Sequence, residues 1–182
     1  MSRRKLPVFL QDSEPEQLLR ATTRERDRVL LMALLYLGLR VSEACKLRVE
    51  HVDVGRAILF VREGKGAKDR ALPIPRRFAG PLRGWIGSRI SGYVWPSPGG
   101  GKLTSRAVQL LIKRVARRAK LPNADQPRAI TPHKLRHAFA SRMLERGNDI
   151  NAVKEALGHS SISTTATYLH TSGERLRRAM EI

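Results

Sequence analysis

Between residues 24 and 37 the chain reads Arg-Glu-Arg-Asp-Arg-Val-Leu-Leu-Met-Ala-Leu-Leu-Tyr-Leu. After Arg28 a helix with this sequence is apolar on nearly every side, and such a helix belongs inside a protein, with others packed around it. The apolar run is too short to span a bilayer. Gly38 ends it. The next residues, Leu39-Arg40-Val41-Ser42-Glu43, open a short helix through Ala44, Cys45 and Leu47. An arginine so close to the most hydrophobic helix needs a partner. Glu43, three residues on, is spaced to take the Arg40 guanidinium. A purely structural ion pair is one reading of these two residues.

Other elements follow from local signals. Ser13 with Glu16, and Thr22 with Glu25, fit capping boxes, the first opening a helix to about Ala21. Residues Ala57 to Val61 and Arg70 to Pro75 read as the two strands of a hairpin. Its turn, from Glu63 to Asp69, holds Lys65 between Gly64 and Gly66, with Lys68 beyond. That tip is either a solvated lysine turn or a point of close approach to phosphates, which flanking glycines permit. It lacks the spacing of a nucleotide-binding P-loop. Pro75 to Ile90 predicts a helix. Thr104 caps another, running to about Ala119, with Val108, Leu111, Ile112 and Val115 on one face and Lys113, Arg114, Arg117 and Arg118 around the other. Thr131-Pro132 is a strong helix start, and that helix runs to Gly147. Asp149 caps a further helix, ended by Gly158. The expected fold class is α+β, mainly α-helical, with a small antiparallel sheet whose hairpin carries Lys65. The expected organisation is a basic leader over residues 1–12, one domain over 13–170, and a tail helix over 171–182 that docks either on its own domain or on a neighbouring protomer.

Charge narrows the partner. The 182 residues hold 35 Lys plus Arg against 16 Asp plus Glu, a net +19, spread along the chain. Such an excess on a chain with a periodic apolar pattern points to a polyanion, most often nucleic acid. The basic face of the Thr104 helix is one candidate surface for it. The single cysteine, Cys45, excludes a disulfide framework and a Cys-based zinc site; it suits a reducing compartment and sits in an apolar context. No His, Cys, Asp and Glu cluster has ligand spacing, so no metal is expected, and no cofactor. No secretory or membrane segment is predicted, which leaves the cytoplasm, in association with the nucleoid.

His133 and Arg136 share a face at the positive end of the Thr131 helix, where free N–H groups already favour an anion. An imidazole and a guanidinium there form a candidate phosphate cradle. His159 follows the next helix, and Tyr168 lies on a Ser- and Thr-rich stretch. Each of these residues alone is more often a surface or half-buried side chain. Together, His133-x-x-Arg136-His137, Leu157-Gly158-His159 and Thr164-Thr165-x-x-Tyr168 resemble the C-terminal signature of the tyrosine recombinases, the phage integrase and Xer family. Gly38-Leu39-Arg40-x-Ser42-Glu43 is similar to that family's first box, with Ala44 where a leucine is more usual. Gly64-Lys65-Gly66-x-Lys68-x-Arg70 is similar to its β-hairpin.

The resemblance implies a site and a reaction. Tyr168 would attack the scissile phosphate and form a 3′-phosphotyrosyl link. Arg40 and Arg136 would clamp the non-bridging oxygens, and His133 and His159 would hydrogen-bond the phosphate. Lys65 would protonate the leaving 5′-oxygen. Glu43 would hold Arg40 from behind, and His137 would be structural. Lys68, Arg70, Lys113, Arg114, Arg117 and Arg118 would contact DNA. The enzyme would be a monomer when free and a tetramer on DNA. The resemblance runs from about Leu6 to Glu174 and covers the catalytic half of the family's plan, without the helical core-binding domain. Two other readings stay open: a type IB topoisomerase-like relaxing enzyme, and a DNA-binding accessory without catalysis.

Overall fold

The computed structural model describes residues 10, 13–62, 69–122, 124, 130–158 and 177–181. Lys65, Lys68, His159 and Tyr168 lie outside the described residues.

Helix α1 (Glu14–Arg20) leads into α2 (Glu25–Tyr36). Every residue from Val29 to Leu37 is buried. Helix α2 is the axle of the domain: it packs against α1, α3 (Val41–Lys46), α4 (Arg76–Ile86) and α6 (Pro132–Glu145). Neither expected capping box forms at the first two helices. Ser13 has a helical backbone, so its hydroxyl is not aimed at the first-turn amides, and Pro15 in that turn has no N–H to cap. The Thr22 hydroxyl instead donates to Leu18 O at 2.8 Å, closing the end of α1. The residue before α2 is Arg24, in an extended conformation and without a side-chain cap.

The sheet has three antiparallel strands in the order β1 (Val52–Asp53), β2 (Ile58–Val61), β3 (Arg70–Pro73). The β2–β3 hairpin was expected; β1, only two residues long, was not. The register pairs Leu59 with Leu72 and Val61 with Arg70, and Leu59 and Val61 face the core. Arg62 and Asp69, the described residues on either side of 63–68, form an ion pair of 2.6 Å. Both are well exposed, so the pair contributes little energy.

Helix α4 stops at Ile86, four residues before the expected end, because Gly87 turns the chain with a positive φ. Helix α5 (Ser105–Arg118) starts at Thr104, whose hydroxyl accepts from Ala107 N at 3.1 Å. Thr131 caps α6 by accepting from Lys134 N at 3.3 Å. Asp149 caps α7 (Ile150–Leu157) by accepting from Asn151 N at 2.9 Å. Cys45 is buried, and burial pushes its thiol pKa up, which suits a core residue and not a nucleophile.

Two local contacts fix the frame. Gly38, at φ +60°, follows α2 so closely that an added Cβ would lie 2.3 Å from Phe139 Cδ1. Gly38→Ala is therefore expected to cost about 2–3 kcal/mol, from left-handed strain plus overpacking. Urea unfolding measures it, and a loss under about 1 kcal/mol would mean that the Phe139 ring gives way. Residues 177–180 are helical, and Met180 is fully buried on the same chain. The Glu181 carboxylate accepts from Arg76 N at 3.2 Å, capping α4 where Pro75 offers no side-chain cap. Glu181→Ala should lower stability by about 0.5–1 kcal/mol and speed amide exchange at Arg76. An unchanged exchange rate there would refute the cap.

Candidate active site

The short helix α3 turns Glu43 inward, where its carboxylate is 5% exposed. Burying a carboxylate is costly unless it is paired and hydrogen-bonded. Glu43 is both. Its Oε2 accepts from Arg40 N at 2.7 Å, and its Oε1 accepts from Arg40 NH1 at 2.8 Å. Arg70, on β3, donates NH1 to Oε1 at 3.0 Å and NH2 to Oε2 at 2.9 Å, a two-pronged bond. Arg136, on α6, brings NH1 within 3.9 Å of Oε2. One buried carboxylate thus gathers three guanidinium groups from three separate elements.

These cations differ in exposure. The Arg40 side chain is 39% exposed, whereas those of Arg70 and Arg136 are 9% and 10% exposed. Arg40 is therefore the most open of the three to an incoming anion. Arg136 also donates NH1 to Gly38 O and NH2 to Leu157 O. It bridges the loop that leads into Arg40 and the last turn of α7. Helix α7 ends at Gly158, and His159 is the next residue in the chain.

His133 is exposed at the first turn of α6 and opens onto a groove of about 600 Å³ between α5 and α6. Arg106, Gln109, Leu110, Lys113 and Lys134 line it beside His133. The four α5 cations expected at DNA therefore separate. Lys113 faces this groove, while Arg118 NH1 donates to Ala21 O and Thr23 Oγ1, both at 3.2 Å, on its own chain. Arg114 and Arg117 are exposed. His137 is also exposed, with Nδ1 3.4 Å from Ser141 Oγ. Arg70, expected on the DNA surface, is turned inward onto Glu43. Sequence reading could not place that bond, because 27 residues separate the two partners. Arg106, Gln109 and Leu110 were not expected at the groove either. Their signal was the exposed stripe of the α5 helical period, on which they alternate with the buried Val108 and Leu111.

Among the described residues no group of three or more His, Cys, Asp or Glu side chains is placed to hold a metal ion. No described helix is long and apolar enough to cross a membrane. The arrangement can bind and neutralise an anion at Arg40, with Glu43 fixing the direction of the guanidinium.

A mainly helical domain with a small antiparallel sheet, and with arginines from two distant boxes gathered on one glutamate, is the catalytic-domain fold of tyrosine recombinases. The phage integrase family model matches residues 8–175, and the chain belongs to that family. It is 43% identical to the tyrosine recombinase XerA of Thermococcus kodakarensis, over 98% of this chain and 63% of that protein. It is 37% identical to the tyrosine recombinase XerC of Xanthomonas axonopodis pv. citri, over 98% of this chain and 59% of that protein. The crystal structure of XerA recombinase superposes with a TM-score of 0.75 at 29% identity, covering 96% of this chain and 64% of that one. XerH site-specific recombinase bound to its difH substrate, a pre-cleavage complex, matches with a TM-score of 0.70 at 25% identity, over 93% of this chain and 52% of that one. The chain spans about three-fifths of the length of the curated relatives it matches.

Proposed function

We propose that this chain carries out DNA strand cleavage and rejoining for site-specific recombination, with Tyr168 as nucleophile. The observation that carries the reading is the convergence of Arg40 and Arg136 on Glu43, at the end of the helix that leads to His159 and Tyr168. In the proposed step the Tyr168 oxygen bonds to the scissile phosphorus and the bond to the 5′-oxygen breaks. His133 accepts the phenol proton and Lys65 gives one to the leaving oxygen. A phenol with a reference pKa of about 10 needs such help near neutral pH. Arg40 and Arg136 stabilise the charge that develops on the phosphate. His159 hydrogen-bonds the same phosphate. The phosphotyrosyl link keeps the energy of the broken bond, so a 5′-hydroxyl can displace Tyr168 and reseal the strand.

The substrate is double-stranded DNA, reached through the α5–α6 groove and its cations. The likeness to XerH site-specific recombinase bound to its difH substrate, a pre-cleavage complex, supports that choice. Assembly as a tetramer on DNA, from monomers in solution, belongs to the same reading, as does a place on the nucleoid in the cytoplasm. The test is a nicked duplex carrying a candidate site, which traps the covalent intermediate by letting the short strand diffuse away. Wild-type protein should form an adduct, and Tyr168→Phe should form none. An adduct that survives in Tyr168→Phe would assign the nucleophile elsewhere.

A further inference from the structure

Arg70, on β3, joins the buried carboxylate of α3 to the end of α7. Its NH1 and NH2 hold both oxygens of Glu43, at 3.0 and 2.9 Å. Its Nε donates to Ala156 O, in the last turn of α7, at 3.3 Å. Its guanidinium also lies flat against Gly158. A Cβ added there would be 2.7 Å from NH1 and 3.0 Å from Cζ, and Gly158 is itself left-handed at φ +65°. Only glycine accepts both the conformation and the contact. Arg70 also starts β3, opposite Val61, so the strand pairing anchors it.

We infer that Arg70 is a positioning residue, an internal strut that fixes the Arg40–Glu43–Arg136 cluster relative to the end of α7. The inference rests on the strand-cleavage reading for its functional consequence and on the geometry alone for its structural one. Glu43 orients Arg40 and approaches Arg136, and Arg70 orients Glu43. The same guanidinium packs on the residue from which the chain departs toward His159 and, nine residues further, Tyr168. A guanidinium whose fork grips both oxygens of a buried carboxylate and whose Nε donates to Ala156 O is not placed to neutralise a DNA phosphate. Its contribution to cleavage is the alignment of groups that touch the phosphate. A planar fork serves this task; a single ammonium cannot bond both carboxylate oxygens and Ala156 O in one plane.

The experiment compares wild type, Arg70→Ala and Arg70→Lys in three measurements. They are adduct formation on the nicked duplex, duplex affinity across a range of salt, and amide exchange over residues 150–158 of the protein alone. Arg70→Ala should lower adduct formation about 100-fold, the scale of a small misplacement of reacting groups. Duplex affinity and its slope against salt should stay close to wild type. Arg70→Lys should recover little cleavage, and amides at the end of α7 should exchange faster in both variants. If Arg70→Ala does not fold, Arg70→Lys keeps the charge and carries the same three measurements. A salt slope reduced by about one, with cleavage falling only in step with affinity, would make Arg70 a DNA-backbone contact and overturn the inference. Full cleavage by Arg70→Lys would overturn it too. If wild type itself forms no adduct, the strand-cleavage reading fails; amide exchange then decides the strut alone, and unchanged exchange at the end of α7 would refute it.

Discussion

Glu43→Ala is expected to destabilise the protein by about 3–5 kcal/mol, the cost of leaving buried charge without its counter-ion. For a chain of this size that lowers the melting temperature by on the order of 10 °C. The reason lies in the exposures. Arg70 and Arg136 are almost out of water, and Glu43 is the carboxylate both approach. Removing it leaves two enclosed cations repelling each other and takes away the acceptor for Arg40 N and Arg40 NH1. Glu43→Gln keeps the shape and one acceptor oxygen, so it should lose stability between wild type and Glu43→Ala. Duplex DNA should restore part of the loss in Glu43→Ala, because a phosphate brings negative charge to Arg40 and Arg136. Thermal melting with and without duplex checks both statements. A Glu43→Ala protein that melts within about 2 °C of wild type would show that the cations had turned out into solvent.

Arg136→Ala is expected to lower strand cleavage by about 10²–10³-fold, the range for removing one preorganised donor to developing charge. Affinity for duplex should fall far less, since many cations share the task of binding DNA on a chain of net charge +19. The variant also loses the bridge from Gly38 O to Leu157 O, which leaves the packing of Phe139 on Gly38 to hold the Arg40 loop against α6. Arg136→Lys should rescue poorly, because an ammonium cannot span two carbonyls and an anion in the fixed plane of a guanidinium. Adduct yield on the nicked duplex, set beside the dissociation constant at one salt concentration, separates the two effects. Losses of equal size in cleavage and affinity would reduce Arg136 to a backbone contact.

How much of this was legible in the sequence depends on the range of each interaction. Caps and stops act over three or four residues, so Thr104, Thr131, Asp149 and Gly158 announced their helices and the structure has them. The all-apolar pattern after Arg28 announced a buried α2 for the same kind of reason: periodicity is a local property. The Arg40–Glu43 pair was visible because helical spacing of three brings side chains together. Arg70 was misread as a surface cation because its partner is far off in the chain, and a lysine-rich turn beside it suggested solvent. The capping boxes at Ser13 and Thr22 failed where a pattern match ignored the backbone. Pro15 removes a donor in one case, and in the other the hydroxyl is already used to end α1. Strand β1 was missed because two residues carry no period. The family signature brought in what periodicity could not, namely that Arg40 and Arg136, distant in sequence, come together; both approach Glu43.

The ring of Phe139 seated against Gly38 carries a consequence for ionic conditions. This contact sets the spacing between the helix bearing Arg136 and the loop bearing Arg40, and it consists of van der Waals touch, which dissolved ions do not screen. Brine strong enough to strip the protein from nucleic acid should therefore leave the two guanidinium carriers at their resting separation, ready when dilution returns.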